Sequence, residues 1–414
     1  MNAQSLFPLT ATPDSSLIPY YIIFCSTMLL SLIALWRFRW RDYLIPYLLN
    51  HKNKKQHETD AGPRELPKIS IILPTHNQAY FLEKNLPLLL EQDYPAFEII
   101  VADEASTDDT ADVLKRMEKK YTHLRHTFVP SSARYIGRKK LAITLGIRAA
   151  RAEWCLLTEP DCQPVSNRWL QYIGRRMNDG TDFILGYATY LNDGSRTARR
   201  AIYERLRYQL RCYRAGINGK AIGADGCNLG IRKSRFMEMQ GFAKSLTIPF
   251  GEATLLTDAL SGRKDSAAEL HNKAMIRQEL PKRSILLNER IYHQETLRHI
   301  SGKGCLFRLR ESCASWFTWI FTFSAICYAT LRTAMFINSP MTSPTQLYTD
   351  ASFLILLASG MSLPVILLRK STNDMGERPF GTMLYWYALI QPFRNLLQKM
   401  RCYRHRQEFV RDLG

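Results

Sequence analysis

Three short polar segments, each directly after an apolar run, carry the side chains best suited to chemistry: PTHN at 74–77, DEASTDD at 103–109 and EPDCQP at 159–164. An Asp or Ser after a strand often caps the next helix, and we expect Ser106 and Asp108 to do so. Carboxylates that converge from separate strands, however, repel each other and need a cation to offset the repulsion. A divalent metal that holds a diphosphate fits the two acidic segments.

The hydrophobic patterning around these segments predicts the strands and helices that position them. Buried strands are predicted at 69–73, 97–102, 125–129 and 154–158, and helices at 80–91, 108–120 and 138–150. Strand–helix alternation at this spacing predicts an α/β domain with a mostly parallel sheet and right-handed crossovers. Ligands of such sheets bind beyond the carboxyl ends of the strands, so we expect the three polar segments to meet at one edge.

Composition narrows the class of protein. The chain has 414 residues, 46% hydrophobic and 22% charged, with 56 Lys+Arg against 37 Asp+Glu and a net charge of +19. These values exclude a disordered chain, and a mean hydropathy of −0.22 argues against a protein built wholly of membrane helices. No nucleic-acid-binding motif accompanies the positive charge, so no nucleic-acid partner is expected. The nine cysteines form no C-x-x-C pair, which argues against a zinc ribbon or a disulfide framework.

The distribution of charge predicts membrane spans. The first 36 residues contain no Lys or Arg, and the apolar run 17–36 is followed at once by Arg37, Arg39 and Arg41. We interpret this run as a retained anchor, because a cleavable signal peptide has positive charge before its apolar run. Two further spans are predicted at 316–337, where Arg332 could snorkel, and at 351–368, where Pro364 could introduce a kink.

The positive-inside rule then gives one topology. Residues 1–16 and the connector 338–350 are predicted outside, and 37–313 and 369–414 inside, in a multi-pass protein of the inner membrane whose soluble domain faces the cytoplasm. The predicted inside segments are a basic linker at 37–67, the soluble domain at 68–300, a juxtamembrane segment at 301–313, and an interfacial segment with a basic tail at 369–414. The stretch 380–393 is too short to span comfortably, and we interpret it as interfacial or re-entrant.

A strongly basic helix is predicted at 196–214, with Ile202, Leu206 and Leu210 spaced four residues apart. Two interpretations remain open for it. It is either a surface helix with a solvated arginine face, or a helix that lies on anionic lipid or presents cations to a phosphorylated lipid acceptor.

Three segments together resemble a known family: ISIILPTHNQAYFLEKNLPLLLEQDYPAFEIIVADEASTDDT at 69–110, GRKKLAITLGIRAARAEWCLLTEPDCQPVSNRWL at 137–170 and GADGCNLGIRKSRFMEMQGF at 223–242. They resemble the family 2 glycosyltransferases, which use nucleotide-sugar donors on a GT-A fold. The resemblance covers about residues 68–300, and the flanking spans suit the membrane-bound branch. It implies that Thr75, His76 and Asp103 hold the nucleoside and that Lys140 lies near the donor.

The family's metal motif, D-x-D, corresponds here to Glu159-Pro160-Asp161. The resemblance implies that Asp161, with Glu159 as a second oxygen ligand, binds Mg²⁺ or Mn²⁺ on the donor diphosphate. The metal would act as a Lewis acid for the departing nucleoside diphosphate.

The family's acidic pair, which should supply the general base, is incomplete. The chain has Glu252 followed by Ala253, where the second acid usually stands. Either Glu252 acts as the base, or Asp258 further along the helix contributes. A missing general base typically costs roughly 10²–10⁴ in rate.

The motif that clamps the donor pyrophosphate in membrane members, Q-x-x-R-W or Q-x-x-R-H, is also altered. Arg298 and His299 fit the motif, but Gln294 lies four residues before Arg298, and Glu295 takes the usual Gln place. Spacings of three and four share a helix face. The alternative is an ordinary amphipathic helix beside the membrane.

These features predict a metal-dependent, inverting glycosyltransferase. It would move a sugar, for which we favour a UDP-linked donor, to a lipid-linked or polysaccharide acceptor in envelope-polysaccharide synthesis. Three spans offer little wall for a polymer channel, so addition of one or a few sugars is expected. The alternative is a catalytically degenerate relative that binds donor or lipid and acts as a scaffold.

Overall fold

The computed structural model describes residues 18–44, 47–48, 51, 65–130, 137–177, 180–217, 223–259, 266–300, 302–338, 344–373, 375–377 and 383–412. The predicted outside N-terminus at 1–16, residues 52–64 of the predicted linker, and residues 339–343 of the predicted connector lie outside this part.

The described chain forms two sheets and a series of helices. The strands are β1 (Ile69–Thr75), β2 (Phe97–Asp103), β3 (Leu124–Phe128), β4 (Trp154–Leu157), β5 (Cys162–Pro164), β6 (Phe183–Gly186), β7 (Ala188–Tyr190), β8 (Leu229–Arg232), β9 (Ser266–Glu269) and β10 (Ile276–Gln278). The α-helices are α1 (Ile18–Leu35), α2 (Ala79–Leu90), α3 (Thr110–Lys120), α4 (Arg138–Ala149), α5 (Trp169–Gly174), α6 (Arg196–Ile217), α7 (Lys233–Glu238), α8 (Glu252–Ala259), α9 (Arg283–His299), α10 (Gly302–Asn338), α11 (Pro344–Asn373) and α12 (Met383–Asp412).

The main sheet has seven strands in the order β3-β2-β1-β4-β8-β6-β9. All its pairs are parallel except those of β8, which runs antiparallel to β4 and β6. A second sheet of three strands has the order β5-β10-β7. Because β1, β2 and β4 are parallel neighbours, the segments that follow them leave the sheet at the same edge.

Helices cover both faces of the main sheet. All seven residues of β1 are buried, as expected for a parallel strand covered on both sides. One face packs on helices α2, α3 and α5 through a single apolar cluster that includes Ile71 and Trp169. On the other face, α4 approaches β1 so closely that a Cβ on Gly146 would lie 2.5 Å from Ile72 Cγ2. Glycine at this position therefore permits the close packing of helix on sheet.

The predicted α/β class with a mostly parallel sheet is confirmed. Each strand and helix predicted between 69 and 158 is present, with ends that shift by one or two residues. The small sheet and the antiparallel strand β8 were not predicted, because strands of three or four residues carry too little alternation to be read.

Helix α6 is an interior helix, and neither interpretation of its arginines holds beyond its first turn. Arg205 forms an ion pair with Asp225 and Arg214 with Asp42, while Arg207 is only 5% exposed. Arg205 and Arg214 therefore neutralise carboxylates within the protein, which a local pattern of charges could not reveal.

Within the described part of the chain, three helices are long and apolar enough to cross a membrane: Pro19–Leu44, Ser312–Ala334 and Leu347–Thr372. They coincide with the three predicted runs. Arg332, predicted to snorkel, instead forms an ion pair with Asp350 at 2.8 Å. From residue 383 onward, the stretch 380–393 belongs to the single long helix α12.

The chain divides into two compact units. One takes in the described residues of Met1–Arg41, Leu309–Arg369 and Phe380–Arg394, and the other those of Asp42–Arg308, Lys370–Pro379 and Asn395–Gly414. The candidate site lies wholly in the second unit. The seven cysteines whose side chains are described are all free thiols, as the sequence indicated.

Candidate active site

The loops after β1 and β2 are joined by a single carboxylate. Asp108 Oδ2 accepts a hydrogen bond from the N–H of Ala79, and Oδ1 accepts one from the N–H of Thr110, both at 3.1 Å. These are the first residues of α2 and α3, so the predicted capping role of Asp108 is confirmed. These hydrogen bonds outweigh burial and hold the pKa of Asp108 below its usual value. Asp108 is therefore a structural residue.

Ser106, also predicted as a helix cap, instead forms hydrogen bonds within and between the two loops. Its Oγ donates to Asp103 Oδ1 at 2.5 Å and accepts from the N–H of Asn77 at 2.9 Å. The Asn77 side chain in turn accepts from the N–H of Thr107 at 2.7 Å. Asn77 and Ala105 both have positive φ angles, of 52° and 58°. Hydrogen bonds thus fix the conformation of the two loops around the end of β2.

The three residues assigned to the nucleoside lie together at this edge. Thr75 ends β1 opposite Asp103 at the end of β2, and His76 Nδ1 lies 3.1 Å from the carbonyl oxygen of Glu104. The hydroxyl of Thr75 is buried and has no hydrogen-bond partner among the described residues. The same holds for Thr158, which follows the neighbouring strand β4. Two buried hydroxyls at the sheet edge are thus without a hydrogen-bond partner among the described residues.

The segment that carries Glu159 and Asp161 is fixed by a buried amide that the sequence did not single out. Asn85 of α2 donates to the carbonyl oxygen of Pro160 at 2.9 Å and accepts from the side chain of Gln163 at 2.9 Å. The signal available in the sequence was a polar residue on an otherwise apolar face of the predicted helix. Asn85 holds the turn between the two acidic residues.

A cluster of three glutamates surrounds one lysine at the sheet edge. Lys139 Nζ lies 2.7 Å from Glu159 Oε1. Burial, with added repulsion from Asp161 and Glu252, raises the pKa of Glu159 to about 7 despite Lys139. Burial likewise raises the pKa of Glu104 to about 7, and the carboxylates of Glu159 and Glu252 add to the rise. The cluster therefore holds more negative charge than its one close ammonium offsets.

The basic residue beside this cluster is Lys139, whereas the sequence pointed to Lys140. Lys140 is fully buried, and its Nζ donates to the carbonyl oxygens of Ser245 at 2.7 Å and Ile248 at 2.5 Å. Burial lowers the pKa of Lys140 to about 8. Helical phase was the missed signal, because Lys140 shares a face with the buried Ile143 and so points inward.

Asp161 is held from the small sheet. Gln278 Nε2 lies 3.0 Å and 3.2 Å from its two carboxylate oxygens, and the N–H of Glu279 donates to its carbonyl oxygen at 3.0 Å. Burial raises the pKa of Asp161, and the hydrogen bond from Gln278 opposes the rise. Gln278 was not predicted, because its contact with Asp161 depends on the pairing of β10 with β5.

Glu252 begins helix α8 and contributes to the electrostatics of Glu104, Glu159 and Lys139. It follows Gly251, which has a φ of +76° and packs against Thr296 of α9. Asp258 lies near the other end of α8, about 9 Å further along the helix axis. Of the two predicted acids, Glu252 is thus the one that contributes to the electrostatics of the cluster.

Helix α9 carries the altered pyrophosphate motif. Arg298 forms an ion pair with Glu295 at 2.9 Å, and His299 Nε2 lies 4.0 Å from the same carboxylate. Arg298 and His299 are both exposed. Glu289 lies earlier in the same helix, and it was not predicted from the sequence as a site residue. Burial raises the pKa of Glu289, and the carboxylate of Asp161 adds to the rise.

No three His, Cys, Asp or Glu side chains in the described ranges are grouped as a ready-made metal site. Glu159 and Asp161 offer a pair of hard oxygen donors of the kind that Mg²⁺ and Mn²⁺ prefer.

Comparison with known proteins identifies a matching family model. Residues 70–237 match the model described as Glycosyl transferase family 2. The chain is therefore similar to that family over this segment. The match covers both acidic segments and ends within α7, and the mostly parallel sheet agrees with the predicted GT-A type.

Relatives of this chain include two bacterial enzymes. The GalNAc(5)-diNAcBac-PP-undecaprenol beta-1,3-glucosyltransferase of Campylobacter jejuni is 26% identical over 130 residues, 31% of this chain and 41% of the relative. The poly(ribitol-phosphate) beta-glucosyltransferase of Bacillus spizizenii is 28% identical over 127 residues, 30% of this chain and 20% of the relative. The chain therefore spans less than half the length of these relatives.

Among solved structures, the mannosyltransferase PcManGT of Pyrobaculum calidifontis, in complex with GDP-Man and Mn²⁺, is similar with a TM-score of 0.46. It is 16% identical, and the alignment covers 89% of this chain and 99% of that one.

Proposed function

We propose that this protein is a membrane-bound glycosyltransferase that moves a sugar from a nucleoside diphosphate donor to a hydroxyl of a lipid-linked or polysaccharide acceptor. A UDP-sugar is the first donor to test. The observation that carries the proposal is the acidic cluster of Glu104, Glu159 and Glu252 around Lys139, at the edge where β1, β2 and β4 end. Its position is the ligand site of a parallel α/β sheet.

The chemistry of the donor set fits a divalent cation. Burial raises the pKa values of Glu159 and Asp161, although Lys139 pairs with Glu159 and Gln278 donates to Asp161. Mg²⁺ or Mn²⁺ on these two carboxylates would add the positive charge that favours their ionised forms. When bound, the cation would offset the charge of the departing nucleoside diphosphate.

The donor would be held by groups on both sides of this pair. Thr75 and Thr158 each offer a buried hydroxyl without a partner, beside Asp103 and His76 at the ends of the first two strands. These residues are assigned to the nucleoside. For the diphosphate we assign Lys139, the close cation of the cluster, in place of Lys140.

The pyrophosphate motif on α9 remains part of the proposal. Arg298 and His299 are assigned to the donor pyrophosphate. Arg298 would have to exchange its ion pair with Glu295 for one with the donor. Both partners are partly exposed, and an exposed pair of this kind is worth only about 0–1 kcal/mol.

Glu252 is the proposed general base. It stands at the start of α8, contributes to the electrostatics of the cluster, and would accept the proton of the acceptor hydroxyl as that oxygen attacks the anomeric carbon from the side opposite the leaving diphosphate. A single displacement of this kind inverts the anomeric configuration. Asp258 is the reserve assignment, at the far end of the same helix.

Membrane attachment is proposed from the three apolar helices and the asymmetric distribution of Lys and Arg. The protein would be a multi-pass protein of the inner membrane with its catalytic domain, at about 68–300, in the cytoplasm. The name of the Campylobacter jejuni relative, which acts on an undecaprenol diphosphate saccharide, supports a lipid-linked acceptor.

A second function, a degenerate relative that binds donor or lipid as a scaffold, is favoured by two observations. Ala253 replaces the second acid, and Glu295 occupies the Gln place and pairs with Arg298. Nucleotide binding without transfer or donor hydrolysis would support this alternative.

The test is turnover of a panel of labelled nucleotide sugars by the full chain in detergent, with release of nucleoside diphosphate as the readout. We expect turnover of one donor, its loss on chelation of divalent metal, and at least a hundredfold loss in Asp161→Asn. Asp112→Asn, which alters an exposed Asp on α3, is the matched control. Full activity in Asp161→Asn or in excess chelator would contradict the metal assignment.

A further inference from the structure

A chain of side chains runs from the basic helix α6 to Asp161. Arg205 donates from Nε and Nη2 to the two oxygens of Asp225, at 2.6 and 2.7 Å. Its third nitrogen, Nη1, donates to Gln278 Oε1 at 2.7 Å. Gln278 Nε2 then donates to Asp161, 3.0 Å from one carboxylate oxygen and 3.2 Å from the other. The chain links three segments that are far apart in the sequence.

The chemistry of the donors fixes the direction of the Gln278 amide. A guanidinium has only N–H donors, so the atom of Gln278 that faces Arg205 must be the carbonyl oxygen. The amide nitrogen is then the atom that faces Asp161. A flipped amide would place an oxygen against the Asp161 carboxylate and an NH₂ group against the guanidinium, and both contacts are repulsive.

Arg205 is itself immobilised on several sides. Its side chain is only 9% exposed, its guanidinium lies 4.4 Å from the centre of the Tyr190 ring, and Nη2 lies 3.2 Å from Cys227 Sγ. The fork geometry of a bidentate pair with Asp225 adds directional constraint. Gln278 is likewise fixed, because in the small sheet it pairs with Cys162, the residue after Asp161.

We propose that Arg205 and Gln278 are positioning residues that hold the Asp161 carboxylate in one orientation for a divalent cation on the donor diphosphate. The proposal rests on the function proposed above. It gives helix α6 a role that the sequence pattern did not reveal.

The arrangement suits this purpose because it orients Asp161 without neutralising it. The charge of Arg205 is balanced by Asp225, and the group that reaches Asp161 is a neutral amide. Asp161 therefore keeps its negative charge for a cation, while a direct Arg–Asp161 pair would compete with that cation. Loss of such outer partners typically lowers metal affinity by about 10–100-fold.

The experiment measures binding of Mn²⁺ to the full chain in detergent, with UDP present, by the electron paramagnetic resonance signal of free Mn²⁺. We expect Gln278→Met and Arg205→Met each to weaken Mn²⁺ binding by about 10–100-fold. The double variant should lose little more than either single one, because both changes break the same chain. Turnover lost in Gln278→Met should recover as Mn²⁺ is raised.

The matched control is Arg176→Met. Arg176 forms a similarly buried ion pair with Glu269, at 2.7 Å, in the same unit of the fold. We expect this variant to lose a comparable amount of thermal stability and to bind Mn²⁺ as the parent does. This comparison separates positioning from general destabilisation.

Two failures are distinguishable. If the parent binds Mn²⁺ and Gln278→Met binds it equally well, or no worse than Arg176→Met does, the positioning role is overturned while the cation assignment stands. If the parent binds no Mn²⁺ with UDP or with GDP, the cation assignment of the proposed function fails and the positioning role fails with it.

Discussion

Lys139 Nζ lies 2.7 Å from Glu159 Oε1, at the centre of the acidic cluster. Glu159 and Glu252 together raise the pKa of Lys139 above its usual value in spite of burial, so this ammonium is charged throughout the physiological range. Its chain neighbour Lys140 points into the protein and binds two carbonyl oxygens. Two adjacent lysines therefore have different tasks, one electrostatic and one structural.

The first prediction separates these tasks. We expect Lys139→Met to lower kcat/KM for the donor at least tenfold, because the cluster loses its close cation and repels a diphosphate more strongly. Lys140→Met should instead lower stability by about 1–3 kcal/mol, since the two partly buried carbonyl oxygens of Ser245 and Ile248 lose their donor. Donor kinetics and thermal melting of both variants are the measurements. Equal kinetic losses with equal melting temperatures would contradict this division.

The second prediction concerns the base. Glu252→Gln keeps the shape of the side chain and removes its basicity, so we expect kcat to fall by about 10²–10⁴ with little change in donor KM. Glu83→Gln, an exposed residue of α2 paired with Arg116, is the control and should keep parental kcat. If Asp258→Asn abolishes turnover while Glu252→Gln does not, the base is Asp258.

The third prediction is a pH dependence of stability. Burial, aided by the Arg211 guanidinium, lowers the pKa of His293 to about 4. The unfolded chain has the ordinary value near 6.5 and so binds the proton more tightly. The stability that neutral His293 provides is complete above about pH 6.5 and is lost progressively as pH falls to about 4.

The measurement is the shift in melting temperature between pH 7 and pH 5. His293 packs edge-on against the ring of Tyr208, with centroids 4.5 Å apart, so His293→Phe keeps an aromatic contact and removes the titration. We expect the shift to be smaller in His293→Phe than in the parent. An unchanged shift in His293→Phe would show that other groups account for the acid sensitivity.

The fourth prediction tests the turn before Glu252. Gly251 has a φ of +76°, and a Cβ added to it would lie 2.3 Å from Thr296 Cγ2. Gly251→Ala should therefore combine backbone strain, of about 1–3 kcal/mol, with a steric clash. Gly194 has a similar φ of +83° and nothing within 4 Å of an added Cβ, so Gly194→Ala isolates the backbone contribution. We expect the melting temperature to fall more in Gly251→Ala than in Gly194→Ala.

The first half of the α/β domain could be predicted because its signals are local. The strands β1, β2 and β4 are continuous apolar runs, and each is followed by a polar segment whose place at the sheet edge follows from topology. The position of Glu159 and Asp161 at the sheet edge could be predicted for this reason. The helical phase of α4 is an equally local signal. It would have favoured Lys139 over Lys140 as the basic residue near the donor.

The second half depends on contacts that no local pattern contains. Asp225 binds Arg205, twenty residues earlier, and Gln278 reaches both Arg205 and Asp161 across a three-stranded sheet. A run of arginines in an amphipathic helix predicts a charged surface, because the pattern does not reveal carboxylates that come from elsewhere in the chain. The burial of α6 is thus a tertiary effect that overrides its composition.

The shared cap at Asp108 has a dynamic consequence. One carboxylate holds the first turn of α2 with one oxygen and that of α3 with the other, and the two preceding loops are further tied by Asn77 and Ser106. Neither loop can loosen without breaking the other's hydrogen bonds. The amides of Ala79 and Thr110 should therefore exchange their hydrogens together, as one cooperative opening unit. A ligand that binds to either loop should therefore order both loops. The conformational entropy of the two loops would then be lost in a single step.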